Sequence, residues 1–349
     1  MNQDPSTRSL EVLMRLITPG SGHGVSATEI DWEEIDHLAR HSHVTVALWM
    51  RLRNDPLLEK MPASMVIDLR RTFHESVRRN RLLKSQFTSV AKCLNRNGQT
   101  PVMLKGAAYL FDPPAANIGR RYMHDLDFMA ADAEACHRSL KEAGFEQIEE
   151  ATSSTHHHLA GLTDRMTGLE VEVHRRPFKT ADAAMRQLFL TEAVHLEAAG
   201  ASMMLPSRAC RIVSNVIHAQ LSDNSFAKGL FNPRYLLEFA EYALAWPKAD
   251  WELAEAAMRG NNLAYGNFRY LVRELMGIQP PVHRKMRRLD GVHLSRIRRR
   301  KRVSPRTGIW YQALGRLFVL KDFVRRRVGR WFGWRSVSRA RLKLAGDKR

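Results

Sequence analysis

An α+β fold, with a small mixed sheet held between two helical regions, follows from three observations. Apolar residues recur at helical spacing through residues 8 to 98 and again from about 182 to 278. Between these stretches, from about 100 to 178, short segments alternate apolar and polar residues with the period of two expected of strands. Breakers separate the regions: Asn97-Gly98 stands before the first strand and Pro280-Pro281 after the last helix.

In the first region Leu10, Leu13, Met14 and Ile17 share a helix face. A long helix is expected from about Ser64 to Asn97, with Met65, Leu69, Phe73, Val77, Leu82, Phe87, Val90 and Leu94 on one stripe. Thr100 to Leu104 reads as a strand that passes through Lys105-Gly106 into a short helix and a Pro113-Pro114 loop. A second strand contains His124-Asp125-Leu126-Asp127-Phe128-Met129, and a helix follows from about Ala133 to Ala143. Segments near Phe145 to Ile148, His157 to Leu159 and Leu169 to His174 complete the sheet. Helical spacing returns at Ile212, Val213, Val216, Ile217 and Ala219, then at Leu236, Leu237, Phe239 and Ala240. The chain thus divides into an N-terminal helical region (1–98), an α/β core (99–181), a helical domain (182–280) and a basic amphipathic extension (281–349).

With 349 residues, 44% hydrophobic and 26% charged, the chain has ample material for buried cores, which excludes a disordered or fibrous protein. Cys93, Cys136 and Cys210 are far apart and odd in number, so neither a disulfide framework nor a zinc knuckle is implied. No signal pattern opens the chain, and no run of about eighteen apolar residues occurs. A cytoplasmic protein is expected, with the inner membrane surface as a peripheral location. The net charge of +19 is concentrated at one end: residues 281–349 hold 23 Lys plus Arg against Asp290, Asp322 and Asp347. The first 280 residues balance 32 basic against 33 acidic side chains.

In an extended strand Asp125 and Asp127 point one way while Leu126 and Phe128 point the other. The later strand repeats this, with Val171 and Val173 on its apolar side and Glu172 opposite, flanked by Glu170 and His174. If the two strands are neighbours, three carboxylates converge, and a hard cation such as Mg²⁺ relieves their repulsion. A D-x-D pair is common by chance; here a glycine turn precedes it, and Gly106 lets backbone N–H groups approach a phosphate. Lys105 and Arg121 are candidate triphosphate contacts, the first as a point charge and the second as a bidentate fork.

Taken in order, Leu104-Lys105-Gly106, Arg120-Arg121, Asp125-Leu126-Asp127 and Val171-Glu172-Val173-His174 resemble the DNA polymerase β-like nucleotidyltransferase superfamily, most closely its bacterial uncharacterised nucleotidyltransferase family. The resemblance covers roughly residues 8 to 280. It implies a polymerase β-like core between helical regions and an Mg²⁺-dependent enzyme, with Mn²⁺ as a substitute, that uses two metals. Such an enzyme moves a nucleoside monophosphate from an NTP, ATP included, onto a hydroxyl of a small molecule, a protein or a nucleic acid. By the same resemblance Asp125 and Asp127 hold both metals, Glu172 holds the one beside the attacking oxygen, and Gly106 lies against the triphosphate. The order apolar, acid, apolar, His favours Glu172 over Glu170. Ala107 and the eighteen residues between Gly106 and Asp125 depart from the broad superfamily and match the uncharacterised family. A different class of reading is a non-catalytic accessory protein that binds a nucleotide or RNA on the same fold.

His174 shares a face with Glu172 and is expected to orient a carboxylate and line the nucleotide site, while His124 is expected only to orient a carboxylate. Consecutive strand residues face opposite ways, so His156-His157-His158 reads as structural. His218 and Glu238 read as polar positions at a helix contact. Beyond Pro281, Trp310 to Trp334 interleaves aromatic and basic residues. Three uses are consistent with that composition, in falling order: a helix docked on the body, a helix on an anionic membrane, and a nucleic-acid tether.

Overall fold

The computed structural model describes residues 5–20, 24–112, 118–148, 156–222, 225–228, 230–282, 288–291 and 294. Three short helices open it: α1 (Pro5–Ile17), α2 (Trp32–His41) and α3 (Thr45–Leu52). Asp31 caps α2 by accepting from the Glu34 amide, satisfying one of the donors that a helix start leaves open. The long α4 (Ala63–Arg96) follows, and the expected stop is present: Gly98 takes φ +69° while the Gln99 amide turns back onto the Leu94 carbonyl. Its inward stripe differs from the sequence pattern at the middle. Ser76 and Asn80 are fully buried there, Leu83 is buried, and Leu82 is 51% exposed. The centre of α4 faces backbone carbonyls, and carbonyls need donors rather than methyl groups.

Next come β1 (Val102–Met103), α5 (Lys105–Phe111), β2 (Asp125–Met129), α6 (Ala133–Glu142), β3 (Glu146–Gln147), β4 (Leu162–Thr163) and β5 (Glu170–His174). They are followed by α7 (Ala183–Thr191), β6 (Val194–Ala198), β7 (Ala201–Leu205), α8 (Arg208–Ile217), α9 (Ser225–Lys228), α10 (Pro233–Ala245), α11 (Lys248–Ala257) and α12 (Asn262–Met276). The strands form one seven-stranded mixed sheet in the order β3-β4-β5-β2-β1-β7-β6. The fold is α+β, as the sequence predicts.

The hairpin β6–β7 overturns the helical reading of 194–205. Ala199 and Gly200 both take positive φ, the geometry of a tight two-residue hairpin turn. Ala-Gly lacks the Asn or Asp that makes such turns readable, and β7 earns its place by pairing in parallel with β1. Of the expected strand at 157–159, only a single bridge remains, from His158 to His174.

Two apolar clusters hold the chain. One lies between α4, α5, α6 and one face of the sheet, and includes Phe87, Val90, Leu94, Leu126, Phe128, Val171 and Val173. The other joins α1, α2 and α3 to α8, α10, α11 and α12 through Leu13, Leu48, Ile212, Phe239, Trp251 and Phe268. Burying an aromatic or large aliphatic side chain contributes roughly 1.5–3 kcal/mol, so the helices that precede the sheet in sequence are fixed by those that follow it. Among the described residues no helix is long and apolar enough to cross a membrane. The aromatic and basic stretch of the extension lies outside the described residues.

Candidate active site

The site starts from the register of two parallel strands. Asp125 stands opposite Glu170, Asp127 opposite Glu172, and Met129 opposite His174. Leu126, Phe128, Val171 and Val173 take the other face and are fully buried under α4. Alternation therefore turns the acids out together. Ligand atoms of Asp127, Glu172 and His174 lie within 4.8 Å of one another. Glu170 is exposed, whereas Glu172 is half-buried.

Asp127 is the centre of the group and only 2% exposed. Its Oδ1 accepts from Lys105 Nζ at 2.7 Å and from His174 Nε2 at 2.8 Å. His174 Nε2 also lies 3.3 Å from Glu172 Oε2. Burial alone would push the Asp127 carboxyl up, but Lys105 and His174 outweigh it and hold it well below the ordinary carboxylate range. For His174 burial opposes the charge, while bonds to Asp127 and Glu172 outweigh burial and raise its affinity for a proton. Lys105 behaves likewise: burial opposes its charge and Asp127 restores it. Asp125 lacks such support and is pushed up to about 6, first by burial and then by the neighbouring charge of Asp127.

In front of these groups opens a cavity of about 450 Å³. Lys105, Gly106, Asp125 and Asp127 line its sheet wall; Asn215, His218, Tyr235, Glu238 and Tyr242 line its helical wall. The segment 118–124, which delivers β2 to the cavity, is clamped from both sides. From α4, Ser76 Oγ donates to the Gly119 carbonyl at 2.8 Å, Arg79 Nε to that of Met123 at 2.7 Å, and Asn80 Nδ2 to that of Arg121 at 2.7 Å. From α10, Glu238 pairs with Arg121 at 3.2 Å and Glu241 with Arg120. Asn215 Nδ2 donates to the second oxygen of Glu238 at 3.3 Å.

Gly106 is needed for space. A Cβ there would stand 2.6 Å from Met123 Sδ, so the absent side chain lets segment 118–124 close over α5. The positive φ belongs to its neighbour, Lys105 at +42°. For a side-chain-bearing residue that conformation costs about 1–2 kcal/mol, which the ion pair with Asp127 offsets.

Of the residues singled out in the sequence, Lys105, Gly106, Arg121, Asp125 and Asp127 line the cavity. Glu172 and His174 stand behind Asp127 on the adjacent strand. Arg121 meets the cavity while paired with Glu238, so Glu238 is the polar contact between regions that its sequence suggested. His218 stands half-buried in the helical wall and is pushed down to about 3, chiefly by burial. His124 departs from expectation: it is exposed, and its ring lies edge-on to Tyr122, 4.6 Å away, rather than on a carboxylate. Sequence reasoning did not find Lys179 and Arg234, which also line the cavity, nor the Ser76, Arg79 and Asn80 clamp. A polar break at Ser76 and Asn80 in the α4 stripe was the one available signal for the clamp.

The sequence model of a protein family described as "Uncharacterised nucleotidyltransferase" matches residues 28–277, and no curated protein matches the chain.

Proposed function

The chain belongs to the uncharacterised nucleotidyltransferase family and is a transferase, and from that premise we propose that it moves a nucleoside monophosphate from an NTP to a hydroxyl acceptor in a reaction that needs Mg²⁺ or Mn²⁺. The observation that carries this reading is the register that sets Asp127 beside Glu172, with Asp125 on the same cavity-facing side. Asp127 and Glu172 share His174, Asp127 also pairs with Lys105, and Asp125 adds a third carboxylate at the cavity, an oxygen-rich donor set suited to a hard divalent cation. Asp125, Asp127 and Glu172 would hold it. When bound, such an ion neutralises the phosphate oxygens that gain charge during an in-line displacement.

The chain's own groups supply positioning, which carries most of the rate in phosphoryl chemistry. His174 fixes the orientation of Asp127 through Nε2 and borders the nucleotide site from behind. Lys105 and Gly106 form the wall against which the triphosphate lies, and Arg121 adds a guanidinium held in place by Glu238. Lys179 and Arg234 reach the same cavity and are not in ion pairs among the described residues, so both can meet phosphate oxygens. Glu172 is the carboxylate that takes the proton of the attacking hydroxyl.

Transfer of label from α-³²P-NTP tests the reading, with and without Mg²⁺ or Mn²⁺ and with Asp125→Asn and Asp127→Asn in parallel. Label transfer should require the cation and both acids; transfer that survives both substitutions would overturn the assignment. A thermal-shift panel of the four NTPs with and without Mg²⁺ identifies the donor.

A further inference from the structure

The three consecutive histidines do not alternate. Residues 156 and 157 form a bend, and only His158 touches the sheet, bridging to His174. The bend gathers all three rings, with centroids 4.2 Å apart for His156 and His158, 4.6 Å for His157 and His158, and 4.8 Å for His156 and His157. One ring nitrogen of each lies within 4.8 Å of the other two. The premise that these rings face opposite ways fails because the backbone there is not extended.

Hydrogen bonds set the tautomers of two rings. A carbonyl oxygen only accepts, so His156 Nδ1 donates to the His158 carbonyl at 3.3 Å and His158 Nδ1 donates to that of Leu159 at 2.8 Å. In a neutral ring this makes Nε2 the lone-pair nitrogen. A ring that donates its other N–H to a backbone carbonyl is how metal-bound histidines are usually held. His157 supplies a second sign: its Nδ1 is buried and has no hydrogen-bond partner. Buried polar atoms left in that state are costly, and a metal bond would satisfy this one.

We propose that His156, His157 and His158 form a site for a divalent transition-metal ion of the zinc class, separate from the carboxylate group around Asp127. Imidazole nitrogens favour Zn²⁺, Co²⁺ or Ni²⁺, whereas the neighbouring carboxylates favour Mg²⁺ or Mn²⁺, so donor chemistry sorts the two sites. Tetrahedral bonds of about 2.0–2.1 Å place nitrogens roughly 3.4 Å apart, so the ring nitrogens, now within 4.8 Å of one another, would close up on a bound ion. Three protein ligands leave a fourth position open. The rings of His157 and His158 each stand 5.4 Å from that of His174, and His157 lines the cavity. An ion there ties the 156–158 bend to β5 directly behind the acids. The proposal does not depend on nucleotidyl transfer.

Tag-free full-length protein, loaded with Co²⁺ and dialysed, is assayed by elemental analysis and visible absorption. One retained equivalent with the intense bands of four-coordinate Co²⁺ is expected, undisplaced by excess Mg²⁺. Asp125→Asn/Asp127→Asn should retain it, and His156→Gln/His158→Gln should lose it. The single His156→Gln change, at a half-exposed position, should weaken binding roughly tenfold or more, which covers the case of a double variant that does not fold. Zn²⁺ should raise the melting temperature of the wild type and not of the histidine variants, with all of them alike in chelator. Failure to retain Co²⁺, retention unaffected by the histidine substitutions, or loss in the aspartate variant would each overturn the proposal.

Discussion

The two walls of the cavity both carry buried carboxylates, and they neutralise them differently. On the helical side Glu238, which lines the cavity, faces Arg121, and Glu241, which does not, faces Arg120, although burial still pushes the Glu241 carboxyl up to about 7. On the sheet side Lys105 and His174 both bond Asp127, His174 also reaches Glu172, and Asp125, without either bond, is left with a carboxyl pushed up to about 6. One-to-one pairing gives each acid a cation of its own and makes a structural tie. Shared pairing leaves an excess of oxygen donors facing a cavity, which is a place for a cation and phosphates. The number of acids does not separate the two walls; their ratio to cations does.

The sharpest way to break this comparison is Asp127→Asn. It should lower label transfer by on the order of 10³-fold while the protein still melts cooperatively, because the loss falls on the reaction. A fall of less than tenfold would remove Asp127 from the chemistry. On the other wall Glu238→Ala should act on stability, costing about 3–5 kcal/mol in chemical denaturation by leaving Arg121 buried without its partner. The paired change Glu238→Leu/Arg121→Met should cost less than either single change; if Glu238→Ala costs under about 1 kcal/mol, the tie is not structural.

Asn80→Ala tests the support beneath both walls. It orphans the Ile118 and Arg121 carbonyls at the centre of α4 and should cost about 2 kcal/mol, with label transfer reduced because segment 118–124 positions β2. The last effect is graded and concerns pH. His218 is held neutral down to about 3 from an ordinary 6.5, so the unfolded chain binds a proton that the folded chain refuses. Stability present above pH 6.5 is therefore lost as pH falls toward 3, with a slope of at most about 1.4 kcal/mol per pH unit for this group. His218→Asn should flatten melting temperature against pH below 6.5; equal slopes for both proteins would show that His218 does not contribute.

Much of the sheet wall was legible. Asp125, Leu126, Asp127 and Phe128 alternate cleanly, as do Val171, Glu172 and Val173, so the inner and outer faces of both strands could be assigned before any pairing was known. The stop at Asn97-Gly98 was equally readable, since glycine takes the left-handed turn at little cost. The hairpin at 194–205 was not, because its Ala199-Gly200 turn carries no strong turn residue and its strands are fixed by pairing with β1. The histidine run misled for a related reason: a bend was read as a strand, and one misplaced period sends every ring the wrong way.

The amino-acid sequence by itself determined the α+β class, the acid-bearing faces of β2 and β5 and the end of α4, because these depend on the period of nearby residues and on single backbone preferences. Only the tertiary structure decided that β2 and β5 are parallel neighbours in register and that Arg120 and Arg121 are tied to α10. It alone placed Asn80 beneath the loop that carries the site and brought Lys179 and Arg234 to the cavity. Those facts join residues tens of positions apart, and local periodicity carries no information about which distant partner satisfies a buried charge or carbonyl.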